Sequence, residues 1–462
     1  MPELKPNRTP LPHRDPQQRR QDFEEVALGF SNEAAKDEAS RCLACPKPKC
    51  VPGCPAGINI PGFIKAIQEG DMPRAVGVLK EKNSLPGVCG RVCPQETQCE
   101  VRCVVGKKGE PLAIGGLERY VADWQRRERF PDAPLQARPT GKKVAVVGSG
   151  PAGLTCAADL ARAGHQVSVF EALHIPGGVL VYGIPEFRLP KEIVRMEVDY
   201  IRSLGVDVRL DMVVGKTFTL DELLTSGYHA IFLGTGAGLP MFMNVPGEDL
   251  TGVYSANEFL VRINLMKAYL FPEYDTPVKR GQRVAVVGGG NVAMDSARCA
   301  LRLGAKEVIL LYRRTEAEMP ARKEEMENAR EEGIVFRTLA APVAFLGDDG
   351  RLAAVECQEM ELGEPDASGR PRPIPTQRRF TLEIDLGIIA LGTSPNPLLP
   401  TTTPGLQTSP KGTVVANETG LTTRPRVWAA GDVVSGAATV ISAIGQAKKA
   451  ALAIDTFLQN GA

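Results

Sequence analysis

KKVAVVGSGPAGLTCAADLARAGHQVSVFE, residues 142–171, reads as a buried strand, a glycine-rich turn, a helix and a second strand. The turn is Gly148-Ser149-Gly150-Pro151-Ala152-Gly153, and Glu171 closes the second strand 18 residues after Gly153. Glycines there let the backbone approach a pyrophosphate at a helix N-terminus, and the acid accepts from ribose hydroxyls. A packing-only tight turn is the bland alternative. Strand, turn, helix and acid in one register favour dinucleotide binding instead.

A second copy follows about 140 residues later, RVAVVGGGNVAMDSARCALRLGAKEVILLYRR at 283–314. Its turn is Gly288-Gly289-Gly290-Asn291-Val292-Ala293, with alanine in place of the third glycine, a change the fingerprint tolerates. Where NAD would want an acid, this copy has Tyr312-Arg313-Arg314, with Arg322 further on. Guanidiniums suit a 2′-phosphate, so NADPH is expected over NADH; the alternative is a solvated basic turn. A third signal is VWAAGDVVSGAATVISAIGQAKKAALAI, residues 427–454. It reads as a strand, then Gly431-Asp432, then a helix from about Thr439. Such an Asp can bind the ribityl chain of a flavin, and the helix N-terminus favours negative charge on a reduced ring. Together with the first fingerprint this predicts a discontinuous FAD domain with the NADPH domain inserted. The expected segments are 1–140 (helical), 141–262 (FAD, first part), 263–397 (NADPH) and 398–462 (FAD, second part). Turn signals in LGDDGR and DASGRPRP predict short strands in an antiparallel excursion between 336 and 390.

The chain has 462 residues, enough for roughly three domains. A net charge of +1 gives no general reason to expect nucleic acid or a membrane surface as partner. No apolar run is long enough to span a bilayer, and the polar, proline-rich start has no signal-peptide core, so a cytoplasmic location is the default. Residues 1–30 read as an extended arm leading into a helix near Asn32–Arg41. Helical patterns continue to about 128; Leu117, Tyr120, Val121 and Trp124 form one apolar helix face. Residues 129–141, RFPDAPLQARPTG, read as a linker.

Eight of the eleven cysteines lie between Cys42 and Cys103; Cys156, Cys299 and Cys357 are scattered. The runs are Cys42-x2-Cys45-x4-Cys50-x3-Cys54-Pro55 and Cys89-x3-Cys93-Pro94-x5-Cys99-x3-Cys103. Zinc sites usually pair two C-x2-C knuckles, and only one is present. Irregular spacing with Cys-Pro steps is closer to ferredoxin-type ligation than to zinc or disulfides. Eight thiols could serve two clusters, one per run. In bacterial ferredoxins, however, the cysteine before proline serves the other cluster, so Cys54 would leave the first run and a later cysteine replace it.

These residues carry a family resemblance. RCLACPKPKCVPGCPAGINIPGFI, VCGRVCPQETQCE, IGGLERYVADW, GIPEFRLPK and AAGDVVSGAATV resemble the NADPH-oxidising small (β) subunits of glutamate synthase, over nearly the whole chain from QDFEEVALGF onward. The module is also similar to the N-terminal half of dihydropyrimidine dehydrogenase. A further likeness is to the large subunit of electron-bifurcating NADH-dependent ferredoxin:NADP oxidoreductase. The resemblance implies an all-α iron–sulfur domain ahead of two Rossmann-like α/β domains, and two interleaved [4Fe–4S] clusters. One would use Cys42, Cys45, Cys50 and Cys103. The other would use Cys54, Cys93, Cys99 and the Glu118 side chain. Cys89 is the alternative eighth ligand, and Glu118 would then be a surface helix carboxylate. The resemblance also implies that Arg188, Gly178 and Leu180 wall the flavin. Gly290–Ala293, Arg313, Arg314 and Arg322 would bind NADPH, with Gly392 closing that site.

The expected chemistry is conversion of paired electrons into single ones: a hydride from NADPH, FAD as intermediary, clusters as one-electron carriers. The nicotinamide C4 would be held roughly 3–3.5 Å from flavin N5, an orientation effect that obliges no side-chain acid or base. His13, His165, His174 and His229 are accordingly read as structural. The chain starts with an arm rather than a cysteine nucleophile and leaves no room for a barrel domain of about 250 residues. A partner protein is therefore expected to finish the reaction. It would be an FMN-bearing subunit that reduces 2-iminoglutarate to glutamate or, for the bifurcating type, a subunit with FAD and a [2Fe–2S] centre. A thioredoxin-reductase-like enzyme would want a redox C-x-x-C in the second unit, which has only Cys299 and Cys357. A non-enzymatic assembly or sensor protein keeping bound cofactors is the remaining alternative.

Overall fold

Strand Lys143–Val147 is apolar and buried from Val144 onward, so it can only lie inside a sheet covered on both faces. The computed structural model, which describes residues 5–132, 137–366 and 369–461, places it at the centre of a five-stranded sheet. The spatial order is Val427–Ala429, Ala230–Leu233, Lys143–Val147, Gln166–Phe170, Asp207–Arg209, and every pairing is parallel. The edge strand comes from near the C-terminus. A second parallel five-stranded sheet is built from the intervening chain. Its order is Val253–Ser255, Leu386–Ile389, Arg283–Val287, Glu307–Tyr312, Val335–Thr338. This sheet takes its edge strand ten residues ahead of the start at 263 expected from sequence. A three-residue strand carries no periodicity by which to find it.

Along the chain, between Val335–Thr338 and Leu386–Ile389, lies an antiparallel three-stranded excursion, Ala340–Asp348, Arg351–Pro365 and Pro371–Glu383. Two of these strands have 15 and 13 residues, longer than the short strands anticipated. Bulges near Gln358 and Leu362 break their periodicity, which hides their length in the sequence. The expected linker and the turn in DASGRPRP lie partly outside the described residues.

Ahead of the sheets, helices are cut by strong local signals. Ser31 caps Asn32–Ser40, Asn59 caps Ile60–Glu69, and Asp71 caps Met72–Lys80, each side chain accepting from a first-turn N–H. In the helix Ile114–Arg127, Leu117, Tyr120 and Val121 are buried, and Trp124 lies against Phe130. The cores of these helices and of the first sheet are continuous. Phe63, Ile64, Leu79 and Leu117 share one cluster with Val144, Val146, Leu154 and Ile444. Contact tightens at Gly445 on the terminal helix Val440–Gln459, where an added Cβ would stand 2.5 Å from the carbonyl oxygen of Pro55. The N-terminal arm crosses to the second sheet. Val26 is buried in that sheet's core beside Phe187, whose carbonyl accepts from the Val26 N–H. Arg19 is buried and donates to Glu332 and Asn328.

Candidate functional site

Cys42, Cys45, Cys50 and Cys103 line one pocket, together with Leu43, Pro48, Ile60, Ile64, Val105 and Leu112. Cys54, four residues after Cys50, is not in its wall. It interacts instead with Glu118, as do Cys93 and Cys99. Cys42, Cys45, Cys50 and Cys103 thus stand together, and Cys54, Cys93 and Cys99 stand near Glu118. Cys89 is buried and hydrogen-bonded to Cys93, so it too stands close to the second set. Glu118 is buried, accepts from Asn83 Nδ2 at 2.8 Å, and is pushed up to about 8 by burial. It is not a surface carboxylate. Among the described residues, no three such donors converge tightly enough to hold a single metal ion; Cys42, Cys45, Cys50 and Cys103 ring a space instead. Four thiols around an apolar pocket fit a thiolate-held cluster. Burial pushes Cys50 and Cys54 up to about 11, so binding of a cluster must displace their protons.

The second feature is a cleft of about 460 Å³ at the C-terminal ends of the first sheet's strands, where ligands enter such folds. Gly148, Ser149, Gly150, Pro151 and Ala152 form one wall, joined by Glu171, Gly178, Gly431, Asp432 and Thr439. Gly148 has φ +97° and Gly178 φ +55°; a Cβ at Gly178 would stand 2.9 Å from Gly150 Cα, so this loop sits directly on the turn. Gly153 lies behind the wall, and an added Cβ would fall 1.9 Å from the Gly148 oxygen. Leu180 is fully buried beneath it. Glu171 Oε2 accepts from the Ser149 N–H and hydroxyl, and Oε1 from the Leu173 N–H. A carboxylate has about four acceptor sites, so one remains for a ligand hydroxyl. Asp432 accepts from the Ala438 N–H and is raised by burial. Thr439 caps the 20-residue helix Val440–Gln459, whose first turn faces the cleft.

The cleft continues to Arg188 and to Asn291, Val292 and Asp295 on the helix of the second fingerprint. Arg188 Nη1 donates to Asp295 at 2.7 Å, and its Nε stands 3.0 Å from Glu325. Burial opposes its charge, but these carboxylates outweigh that and hold the guanidinium protonated. The neighbouring Phe187 lies under Arg298 and Arg302. Gly290 and Ala293 flank the same helix start, at its N-cap and first turn, without lining the cleft. Gly392 has φ +110°, and its carbonyl accepts from Met241; the next residue, Thr393, reaches the cleft wall.

The three arginines expected to meet a 2′-phosphate are not equivalent. Arg313 is exposed and makes no ion pair or hydrogen bond among the described residues. Arg314 is buried; it donates to the Pro371 carbonyl and to Asp366 at the far end of the antiparallel hairpin. Arg322 is buried at the helical domain, donating to the Arg91 carbonyl, Gln95 and Glu324. Sequence reasoning also missed residues. Tyr182 lines the cleft, its hydroxyl pushed up to about 12 by burial near Asp432 and Glu171. Asp295 carried a readable signal, as an acid one turn after Asn291 on an inward face. Val92 and Pro94, on either side of Cys93, also line the cleft. Of the histidines, His165 bridges Thr140 and Asp455, His229 accepts from the Lys143 N–H, and His13 meets Glu324.

Comparison with known proteins agrees with this arrangement. Residues 19–130 match the family described as dihydropyrimidine dehydrogenase domain II, 4Fe-4S cluster, and residues 142–448 match pyridine nucleotide-disulphide oxidoreductase. The chain is 40% identical over 437 residues to the NADP(+)-dependent formate dehydrogenase subunit beta of Moorella thermoacetica, covering 89% of this chain but 60% of that protein. It is 37% identical over 450 residues to the glutamate synthase [NADPH] small chain of Escherichia coli, covering 96% and 95%. Mycobacterium tuberculosis FprA, solved in complex with NADPH, shares the fold of 70% of this chain with a TM-score of 0.59 at 23% identity. Among the described residues no helix is long and apolar enough to cross a membrane. The chain is thus an oxidoreductase whose α/β part belongs to the pyridine nucleotide-disulphide oxidoreductases and which, over nearly its full length, belongs to the glutamate synthase small-chain family.

Proposed function

We propose that this chain is the NADPH-oxidising, electron-transferring subunit of a larger enzyme, holding FAD, NADPH and two [4Fe–4S] clusters. One observation carries the reading. A single cleft touches the first glycine turn, the start of the second fingerprint helix, and both neighbours of Cys93. FAD, when bound, supplies the exchange between a hydride and the single electrons that clusters carry. The chain's own residues supply the rest. The N–H groups opening Pro151–Arg162 bind a pyrophosphate, Glu171 and Asp432 accept from ribose and ribityl hydroxyls, and Arg188, held in place by Asp295 and Glu325, offers a fixed donor in the cleft. The N-terminus of Asn291–Arg302 receives the second nucleotide's phosphates, and Arg313 is the guanidinium free to pair with a 2′-phosphate. Cys93 stands between two residues of the cleft wall, Val92 and Pro94, and has Cys99 and Glu118 as neighbours. Cys42, Cys45, Cys50 and Cys103 line a separate pocket and are partly exposed. Segments 141–262 and 398–462 build the FAD domain, and the chain between them builds the NADPH domain.

The preferred partner is an FMN-bearing subunit that reduces 2-iminoglutarate to glutamate. The 40% identity to a formate dehydrogenase subunit favours a second reading, with a different redox partner on the same surface. Anaerobic holoprotein mixed with NADPH should bleach its flavin and then develop the spectroscopic signal of reduced clusters. Iron and acid-labile sulfide should both be present. Protein that holds FAD but is not bleached by NADPH would refute the proposal, and would favour a non-enzymatic role. The co-purifying subunit of the native complex decides between the two partners.

A further inference from the structure

The hairpin of Arg351–Pro365 and Pro371–Glu383 is fastened at its far end to the chain just past strand Glu307–Tyr312. Buried Arg314 is the fastener. Its Nε donates to the Pro371 carbonyl at 2.7 Å and its Nη2 to Asp366 at 2.8 Å. The Pro371 carbonyl belongs to the peptide bond that joins Pro371 to Arg372, and Arg314 shares a peptide bond with Arg313. One side chain therefore bridges the backbones that carry Arg313 and Arg372. Through that bridge the two Cα atoms are at most about 14 Å apart, a gap that two arginine side chains can close. From 367 to 382 the sequence has four arginines and no acid. Arg378 pairs with Glu359 at 2.7 Å and Arg379 with Glu356 at 3.3 Å. Arg370 also has a partner, and its N–H donates to Asp366. Arg372 is exposed, and among the described residues its side chain makes no ion pair or hydrogen bond. The strand Pro371–Glu383 lies at the edge of its sheet, but Pro371, Pro373 and Pro375 have no N–H to offer an added strand. Their fixed φ stiffens the segment that carries Arg372.

We infer that Arg372 is a second determinant of nucleotide choice, pairing with the 2′-phosphate of NADPH together with Arg313. Arg314 and Asp366 are positioning residues that hold the hairpin end in place for it. The inference rests on the reading above, that the second fingerprint receives NADPH and that Arg313 meets its 2′-phosphate. A phosphate monoester carries about 1.5 to 2 negative charges near pH 7, more than one guanidinium balances. Two planar forks can each give it parallel N–H bonds. Arg314 and Asp366 neutralise each other, so the fastening itself adds no net charge, and the two spare cations at this end of the strand are Arg313 and Arg372. NADH carries a hydroxyl where the phosphate would be, and so gains nothing from the second cation. The hairpin thus sharpens the choice between the two nucleotides without touching the part that reacts.

The test uses anaerobic, flavin-loaded holoprotein. Calorimetry reads the Kd of adenosine 2′,5′-bisphosphate, a probe that carries the 2′-phosphate and no nicotinamide. Reduction of ferricyanide reads kcat/KM for NADPH and for NADH. In Arg372→Gln the Kd of the bisphosphate and the KM for NADPH should each rise by about tenfold, with kcat for NADPH and kcat/KM for NADH unchanged. Arg372→Lys should be intermediate, because it keeps the charge and loses the fork. Arg314→Gln should also weaken the bisphosphate. Combined with Arg372→Gln it should add little, as expected of a residue that acts through another, and full additivity of the two losses would remove its positioning role. An unchanged bisphosphate Kd in Arg372→Gln, while wild type still prefers NADPH to NADH, would overturn the inference alone. So would equal losses for NADPH and NADH. Wild-type holoprotein with no preference for NADPH over NADH would instead overturn the reading on which the inference rests.

Discussion

The two glycine turns start from nearly the same sequence and end in different chemistry. Around Gly148–Gly153 the helix Pro151–Arg162 packs through Leu154, Cys156, Ala157, Ala158 and Leu160, all apolar and buried. Around Gly288–Ala293 the helix Asn291–Arg302 buries Asp295, Arg298 and Arg302. Arg298 and Arg302 grip Glu332, which Arg19 of the N-terminal arm also reaches. The second strand of the first unit ends on Glu171, turned in to hold Ser149. The second unit ends on Tyr312, whose ring lies over Gly289, and then on exposed Arg313. One supersecondary module thus carries opposite charge just past its second strand in its two copies. Ion pairs replace apolar packing where three parts of the chain meet.

Exchanging features between the units tests this contrast. The largest effect is expected from Gly153→Ala, which gives the first turn the second's residue. Its methyl would fall 1.9 Å from the Gly148 oxygen, so the protein should purify without flavin or fail to fold. Flavin absorbance per chain measures it, and full retention would show that the two turns are interchangeable. Next is Glu332→Ala, which leaves buried Arg302 with no carboxylate and takes one from Arg298 and Arg19; it should cost about 3–5 kcal/mol in the second unit, read as loss of hydrogen-exchange protection there. The same carboxyl is held down at about 2 by Arg298 and Arg302, against burial. Its folded value is below its unfolded one, so its stabilisation is complete above about pH 4.5 and is lost as pH falls towards 2. Acid should therefore open the second sheet before the first, whose helix buries no such carboxylate. Arg313→Glu should raise the KM for NADPH by roughly tenfold to a hundredfold while leaving NADH nearly untouched. Equal losses for both nucleotides would remove the 2′-phosphate assignment. Smallest is Ala293→Gly, at about 1 kcal/mol or less by helix propensity, with NADPH binding retained.

What the sequence made legible was local or tightly patterned. Both turns, the acid at 171 and the basic pair at 313–314 follow from strand, turn and helix in register. The separation of Cys54 from Cys50 follows from one proline. Contacts made at long range were hidden. Nothing near Arg314 announces that Asp366 and Pro371 will claim it, because the bulged hairpin that brings them is defined only by pairing. Arg322 reads as a nucleotide ligand until the helical domain presents the Arg91 carbonyl to it. Tyr182 has no motif of its own, and burial beside Asp432 and Glu171 is what makes it conspicuous. The arm's hold on the second sheet depends on Val26 meeting Phe187, two residues about 160 positions apart in the chain.

Gly445 sets a spacing. With no side chain there, the terminal helix lies against the Pro55 carbonyl, one residue from Cys54. Electron tunnelling weakens exponentially with separation. A methyl group at 445 would therefore act as a shim, throttling transfer between the halves of the molecule while altering no ligand and no charge.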